Sequence, residues 1–144
     1  MNKIYIAAPL FSDIERELNE RVDAFVKNLG YETYLPQKDG GVLTELIENG
    51  MTMIEAREFL FEKDWEAVKW CDIVLVILDG RVPDEGACVE IGMGFALGKE
   101  CIAYKTDLRS FISGEDNLMI SGVIRNRIAK DFAGLQELLE ALPS

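Results

Sequence analysis

DIVLVILDGRVPDEGACVEIG, residues 72–92, joins an apolar run to a charged turn and then to a second apolar run that contains a single acid. The first run, DIVLVIL (72–78), shows no polar alternation after Asp72. It reads as a strand covered on both faces, as the strands of parallel sheets are. The turn DGRVPDEG (79–86) holds three acids, Asp79, Asp84 and Glu85, and one base, Arg81. A helix is expected from 85 to 98, and Glu90 stands in it among Ala87, Cys88, Val89, Ile91, Met93, Phe95, Ala96 and Leu97. A helix apolar nearly all round is expected to be largely buried. A buried carboxylate is costly unless it is paired or functional. A solvent-facing glutamate would need no chemistry, but these neighbours argue against that reading.

The rest of the chain extends the same alternation. KIYIAA (3–8) is a strand that ends at Pro9. Residues 12–29 carry Ile14, Leu18, Val22, Phe25, Val26 and Leu29 at helical spacing, with Ser12 as N-cap and Gly30 as the stop. YETYLP (31–36) is a second strand, QKDGG (37–41) a loop, 43–48 a short helix and 52–70 a longer one. ECIAYK (100–105) is the fourth strand and TDLRSFISGED a loop. NLMISGVIRNRIAKDF (117–132) is ambiguous, with a fifth strand expected near 126–130, and 132–142 is a last amphipathic helix. Strands that alternate with helices predict an α/β fold: one domain over 1–144, a flavodoxin-like three-layer sandwich with a five-stranded parallel sheet in the order 2-1-3-4-5. Ligands of such sheets lie beyond the carboxyl ends of the strands. Those ends are AAPLF (7–11), PQKDGG (36–41), DGRVPDEG (79–86) and KTDLRS (105–110).

Composition narrows the chemistry. The formal charge of −11 argues against DNA or RNA as partner. No apolar run approaches the roughly 20 residues of a membrane helix. The start reads as a strand rather than a signal peptide, so a cytoplasmic location is expected. Cys71, Cys88 and Cys101 form no CxxC pair, and a zinc site is not expected; they read as small buried hydrophobes. The chain has no histidine. Acid–base work must therefore fall to carboxylates, Tyr, Lys, Cys or Arg.

Gly92, Gly94 and Gly98 lie inside the helix rather than in a turn after a strand, so they are not a dinucleotide fingerprint. Gly86, Glu90, Gly94 and Gly98 recur every four residues and share one face, which lets the sheet or a ligand approach. Asp84 either complements the helix dipole or forms, with Glu90, a pair of carboxylates in unlike environments, one to attack a sugar carbon and one to handle a proton. Asp64 and Tyr5 are placed to line the same pocket, although a mid-helix Asp is often solvated and a strand Tyr often core. A receiver domain would need paired acids after the first strand, where this chain reads AAP.

With Tyr5, Asp64, Asp84, Glu90 and Asn117-Leu118-Met119 in view, the chain resembles the nucleoside 2-deoxyribosyltransferases over nearly its whole length. The family's strand–turn–helix signature stands as Asp84-Glu85-Gly86-Ala87-Cys88-Val89-Glu90-Ile91-Gly92, its opening strand as IYIAAPLF, and its helix acid as Asp64, eight residues before Asp72. The resemblance implies transfer of a 2-deoxyribosyl group from a 2′-deoxynucleoside to a free purine or pyrimidine base, a nucleoside-salvage reaction that uses no cofactor. Glu90 would be the nucleophile and Tyr5 would orient it. Asp84 and Asp64 would bind the leaving base and pass it a proton. Asn117 and Met119 would reach the sugar from a neighbouring subunit of a homo-oligomer. Phe11 would stack on the base, Gln37 is a candidate for base contact, and Gly86 gives the substrate room. Two other functions remain open: an N-glycosidase acting on deoxynucleosides or their 5′-monophosphates, and a non-catalytic nucleotide-binding or signalling domain. Against the monophosphate stand Asp84 and Glu85 at the helix start, with Arg81 as the nearby cation.

Overall fold

The computed structural model describes residues 1–109 and 115–143. Five strands, β1 (Lys3–Ala7), β2 (Glu32–Tyr34), β3 (Ile73–Ile77), β4 (Glu100–Tyr104) and β5 (Ile128–Ala129), form one parallel sheet in the order β2-β1-β3-β4-β5. This is the order and the α/β architecture expected from the alternation of elements. β3 is buried along its whole length, as its unbroken apolar run requires.

The pleat sends alternate residues to two cores. Ile4, Ile6, Ile73, Leu75, Ile77 and Ile102 face one side, where helices α1 (Asp13–Asn28) and α6 (Phe132–Glu140) add Val22, Val26, Leu135 and Leu139. Tyr5, Ala7, Val74, Val76, Cys101 and Ala103 face the other. That side is covered by α3 (Met53–Trp70), α4 (Glu85–Ala96) and α5 (Leu118–Val123), and α2 (Leu43–Glu48) packs on α3. Ser12 caps α1 through a capping box with Glu15, and Thr52 does the same for α3 with Glu55. Gly30 and Gly98 take positive φ just past α1 and α4, the left-handed stop that glycine allows.

Three readings are corrected or completed. Residues 36–40 form a π-helical turn rather than an open loop, held by Asp39, whose carboxylate accepts the Leu35 N–H at 2.8 Å. The ambiguous stretch 117–132 contains α5 before β5. The expected burial of α4 is not reached in the single chain. Ala87, Ile91 and Gly94 are buried against the sheet, but Val89 is 56 % exposed and Phe95 and Leu97 are exposed as well. The helix has more apolar faces than the sheet and its neighbours α3 and α5 cover. The loop 106–116 falls partly outside the described residues, at 110–114.

The glycines of α4 have separate reasons. A Cβ on Gly94 would meet Val74 Cγ2 at 2.5 Å, so this glycine sets how closely the helix approaches β3. A Cβ on Gly92 would meet nothing within 4 Å. Gly94→Ala is therefore expected to lower stability by about 1–3 kcal/mol despite the better helix propensity of alanine. Gly92→Ala should be neutral or raise it by about 1 kcal/mol. Denaturant unfolding of the two variants beside the wild type checks both.

Candidate active site

Strand pairing brings the first two side chains of the site together. Tyr5 of β1 lies opposite Tyr34 of β2 in the parallel register. Their rings stack with centroids 5.4 Å apart and planes within 15°. Tyr5 is fully buried, and its hydroxyl donates to Glu90 Oε1 at 2.8 Å. The Tyr34 hydroxyl donates to Asp64 Oδ1 at 3.0 Å. Two phenol–carboxylate pairs thus stand side by side, one reaching α4 and one reaching α3.

Asp64, Gly86 and Glu90 line a cleft of about 220 Å³ between α3 and α4, walled by Phe61, Trp65, Val68, Val89 and Met93. The turn 36–40 closes over Asp64: a Cβ on Gly40 would lie 3.5 Å from both Asp64 Oδ1 and the Tyr34 hydroxyl. Lys63 ties that turn to α3 by donating to the Asp39 carbonyl at 2.8 Å. Asp84 is the N-cap of α4, where Oδ2 accepts the Ala87 N–H at 2.8 Å. It thus serves the helix dipole, and its charge also bears on Glu90. A Cβ on Gly86 would lie a tight 3.2 Å from Asp84 Oδ2, so a side chain there would press on the capping carboxylate.

The electrostatics follow from this crowding. Burial pushes Glu90 up from 4.5 to about 8; the charges of Asp64 and Asp84 push the same way, and the Tyr5 hydrogen bond opposes them. Burial also raises Asp64, against the Tyr34 hydrogen bond and the Lys63 charge. Burial, followed by the neighbouring carboxylates, lifts Tyr5 and Tyr34 well above the ordinary phenol value. Both phenols therefore stay protonated and act as donors. The cleft holds a proton at neutral pH that an exposed set of acids would have released.

Of the residues singled out from sequence, Tyr5, Asp64, Gly86 and Glu90 meet here, with Asp84 at the rim. Phe11 lies apart, 79 % exposed. Gln37 is held by α1: its carbonyl accepts from Asn19 at 2.8 Å and its amide donates to the Arg16 carbonyl at 3.1 Å. Asn117 caps α5 by accepting the Met119 N–H at 2.9 Å. It lines, with Met119, a second cavity of about 360 Å³ that also includes Pro83 and Cys88. Met119 is 69 % exposed. Tyr34 was not singled out from sequence. No local signal marks it, because its place depends on strand register.

A sequence model of the family described as nucleoside 2-deoxyribosyltransferase matches residues 4–136. The chain belongs to this family. Among solved structures it is similar to a 2-deoxyribosyltransferase from the psychrotolerant bacterium Bacillus psychrosaccharolyticus, with 27% identity over 93% of this chain and 90% of that one and a TM-score of 0.73. It is also similar to a conserved protein from Enterococcus faecalis V583, with 26% identity over 99% of both chains and a TM-score of 0.75. A CMP N-glycosidase from Clostridium botulinum shares the fold at 17% identity over 96% of this chain and 99% of that one, with a TM-score of 0.62. No curated protein sequence matches this chain significantly.

The shift at Glu90 has a consequence for folding. The folded chain holds this proton up to about pH 8, whereas the unfolded chain releases it near 4.5. Folding therefore takes up a proton between those values. The contribution is most favourable below pH 4.5 and is lost as pH rises through 8. Glu90→Gln is expected to remove this slope and to stabilise the protein at pH 9 by up to about 5 kcal/mol, with little change at pH 4.5. Urea unfolding of both proteins across that range measures it.

Proposed function

We propose that the protein transfers the 2-deoxyribosyl group of a 2′-deoxynucleoside to a free nucleobase by double displacement on Glu90. The observation that carries the reading is the hydrogen bond from the buried Tyr5 to the half-buried Glu90, with Asp64 and Asp84 beside it, in a chain that the deoxyribosyltransferase family matches over 4–136.

The chemistry needs one carboxylate to bond to carbon and another acid to carry a proton. Tyr5 occupies Glu90 Oε1, which leaves Oε2 for attack on C1′. The C1′–O bond forms as the C1′–N bond breaks, and the electrons of the broken bond go to the base nitrogen. Asp64 or Asp84 supplies the proton that nitrogen takes. A shared proton in the cleft serves both needs: when Glu90 ionises to attack, the proton resides on a neighbouring acid. The carbon passes through oxocarbenium character that an adjacent carboxylate stabilises. A second base then attacks C1′, loses its N–H proton to the acid, and frees Glu90.

Transfer rather than hydrolysis requires that water be kept from the ester. In the single chain the cleft walls Phe61 and Val89 are exposed, as are Leu118 and Met119. These surfaces support a homo-oligomer in which Asn117 and Met119 of one copy close the site of another. Mixing Glu90→Ala with Met119→Glu, each inactive alone, is then expected to restore part of the activity through hybrid sites. Sites built from one chain would give none.

The direct test incubates the protein with deoxyinosine and adenine and follows the products by chromatography. New deoxyadenosine is expected, and Glu90→Ala should lower turnover by at least about 10²–10⁴. Hypoxanthine without deoxyadenosine would assign an N-glycosidase. No product from any deoxynucleoside or deoxynucleoside monophosphate would favour a binding module.

A further inference from the structure

We infer that Tyr34 is a positioning residue for proton delivery: by donating to Asp64 Oδ1 it turns Oδ2 toward the cleft as the oxygen that protonates the departing base. This inference rests on the double displacement proposed above.

The geometry leaves the Asp64 carboxyl little freedom. Its Oδ1 accepts the Tyr34 hydroxyl at 3.0 Å, and a Cβ on Gly40 would reach to 3.5 Å from the same oxygen. The Tyr34 ring cannot swing away easily, because it stacks on Tyr5, itself fully buried and bonded to Glu90. Tyr34 is raised well above the ordinary phenol value, so it keeps its proton and can only donate to Oδ1. Burial favours a protonated Asp64 and the Tyr34 bond opposes it; with Oδ1 occupied by the phenol, the proton Asp64 takes up sits on Oδ2. That proton is then available to the base, and after cleavage the bare Oδ2 is available to take the N–H proton of the incoming base. The groups facing Asp64 are Tyr34 and Tyr5 from the sheet, Glu90 from α4, and Lys63 on its own helix, while Asp39 of the 36–40 turn acts on Tyr34. Tyr34 is the one among them that bonds directly to Asp64. The stacked arrangement also places the nucleophile and the acid in fixed relation, since the two phenols that hold them are register partners on adjacent strands.

The test separates a role in proton handling from a role in shape. Tyr34→Phe keeps the ring and its stack and removes only the donor. With deoxyinosine as donor, kcat is expected to fall on the order of 10-fold, a fraction of what a general acid contributes in full. With N7-methyl-2′-deoxyguanosine, whose base is already cationic and leaves without a further proton, kcat should change less than about twofold. In an Asp64→Asn background the same substitution should have no further effect on deoxyinosine cleavage. Equal losses on both donors, or full additivity with Asp64→Asn, would overturn the inference and make Tyr34 a packing residue. So would wild-type rates on deoxyinosine, with a correctly folded variant shown by an unchanged melting transition. Failure of the wild type on every donor would instead overturn the double displacement itself.

Discussion

A carboxylate taken out of water beside two others is the constraint around which this molecule is arranged. Desolvation and like charge both oppose ionisation of Glu90, and only the phenol of Tyr5 favours it. The fold provides that phenol from the centre of the sheet. It then provides a second, Tyr34, for the neighbouring acid. Because neither phenol ionises near neutral pH, both stay hydrogen-bond donors while the two acids between them titrate. A histidine would have added a fourth titrating group beside these three acids; the chain has none.

Helix α4 bears the cost of this arrangement at several points. Gly94 brings it close enough to β3 for Glu90 to meet Tyr5, and Gly86 leaves the Asp84 cap and the cleft mouth unobstructed. The residues that are left over, Val89, Phe95 and Leu97, remain uncovered. An apolar surface next to a polar cleft is a poor property for an isolated chain and a suitable one for a chain that assembles.

Much of this was legible in the residues themselves. The unbroken run 72–78 and the regular alternation of elements specify a parallel sheet, because each short pattern has one economical way to bury itself. Glu90 and Asp84 stood out because acids in apolar or helix-initial company demand a reason; Asp64, in the charged stretch EKDWE, was marked only by the family resemblance. What escaped notice depends on contacts between distant parts of the chain. The turn at 36–40 is closed by the Asp39 side chain, which binds a backbone N–H that no local pattern points to. Gln37 looks free in sequence and is taken up by Asn19 and Arg16, more than fifteen positions earlier. The covering of α5 was hidden by a six-residue length too short to show a period. Tyr34 reads as an ordinary strand aromatic until pairing sets it against Tyr5.

That pairing lies at the margin of the sheet. β2 is an edge strand of three residues, bound to β1 on one side. Edges and short strands are where native structure opens first, at a free energy below that of global unfolding. The hydroxyl that steadies Asp64 is thus anchored on one of the two short edge strands, while Tyr5 belongs to the central sheet and Glu90 to the helix packed on it. On warming, the two phenol–carboxylate pairs would come apart from the rim inward, Tyr34 leaving Asp64 while the central sheet still holds Tyr5 to Glu90.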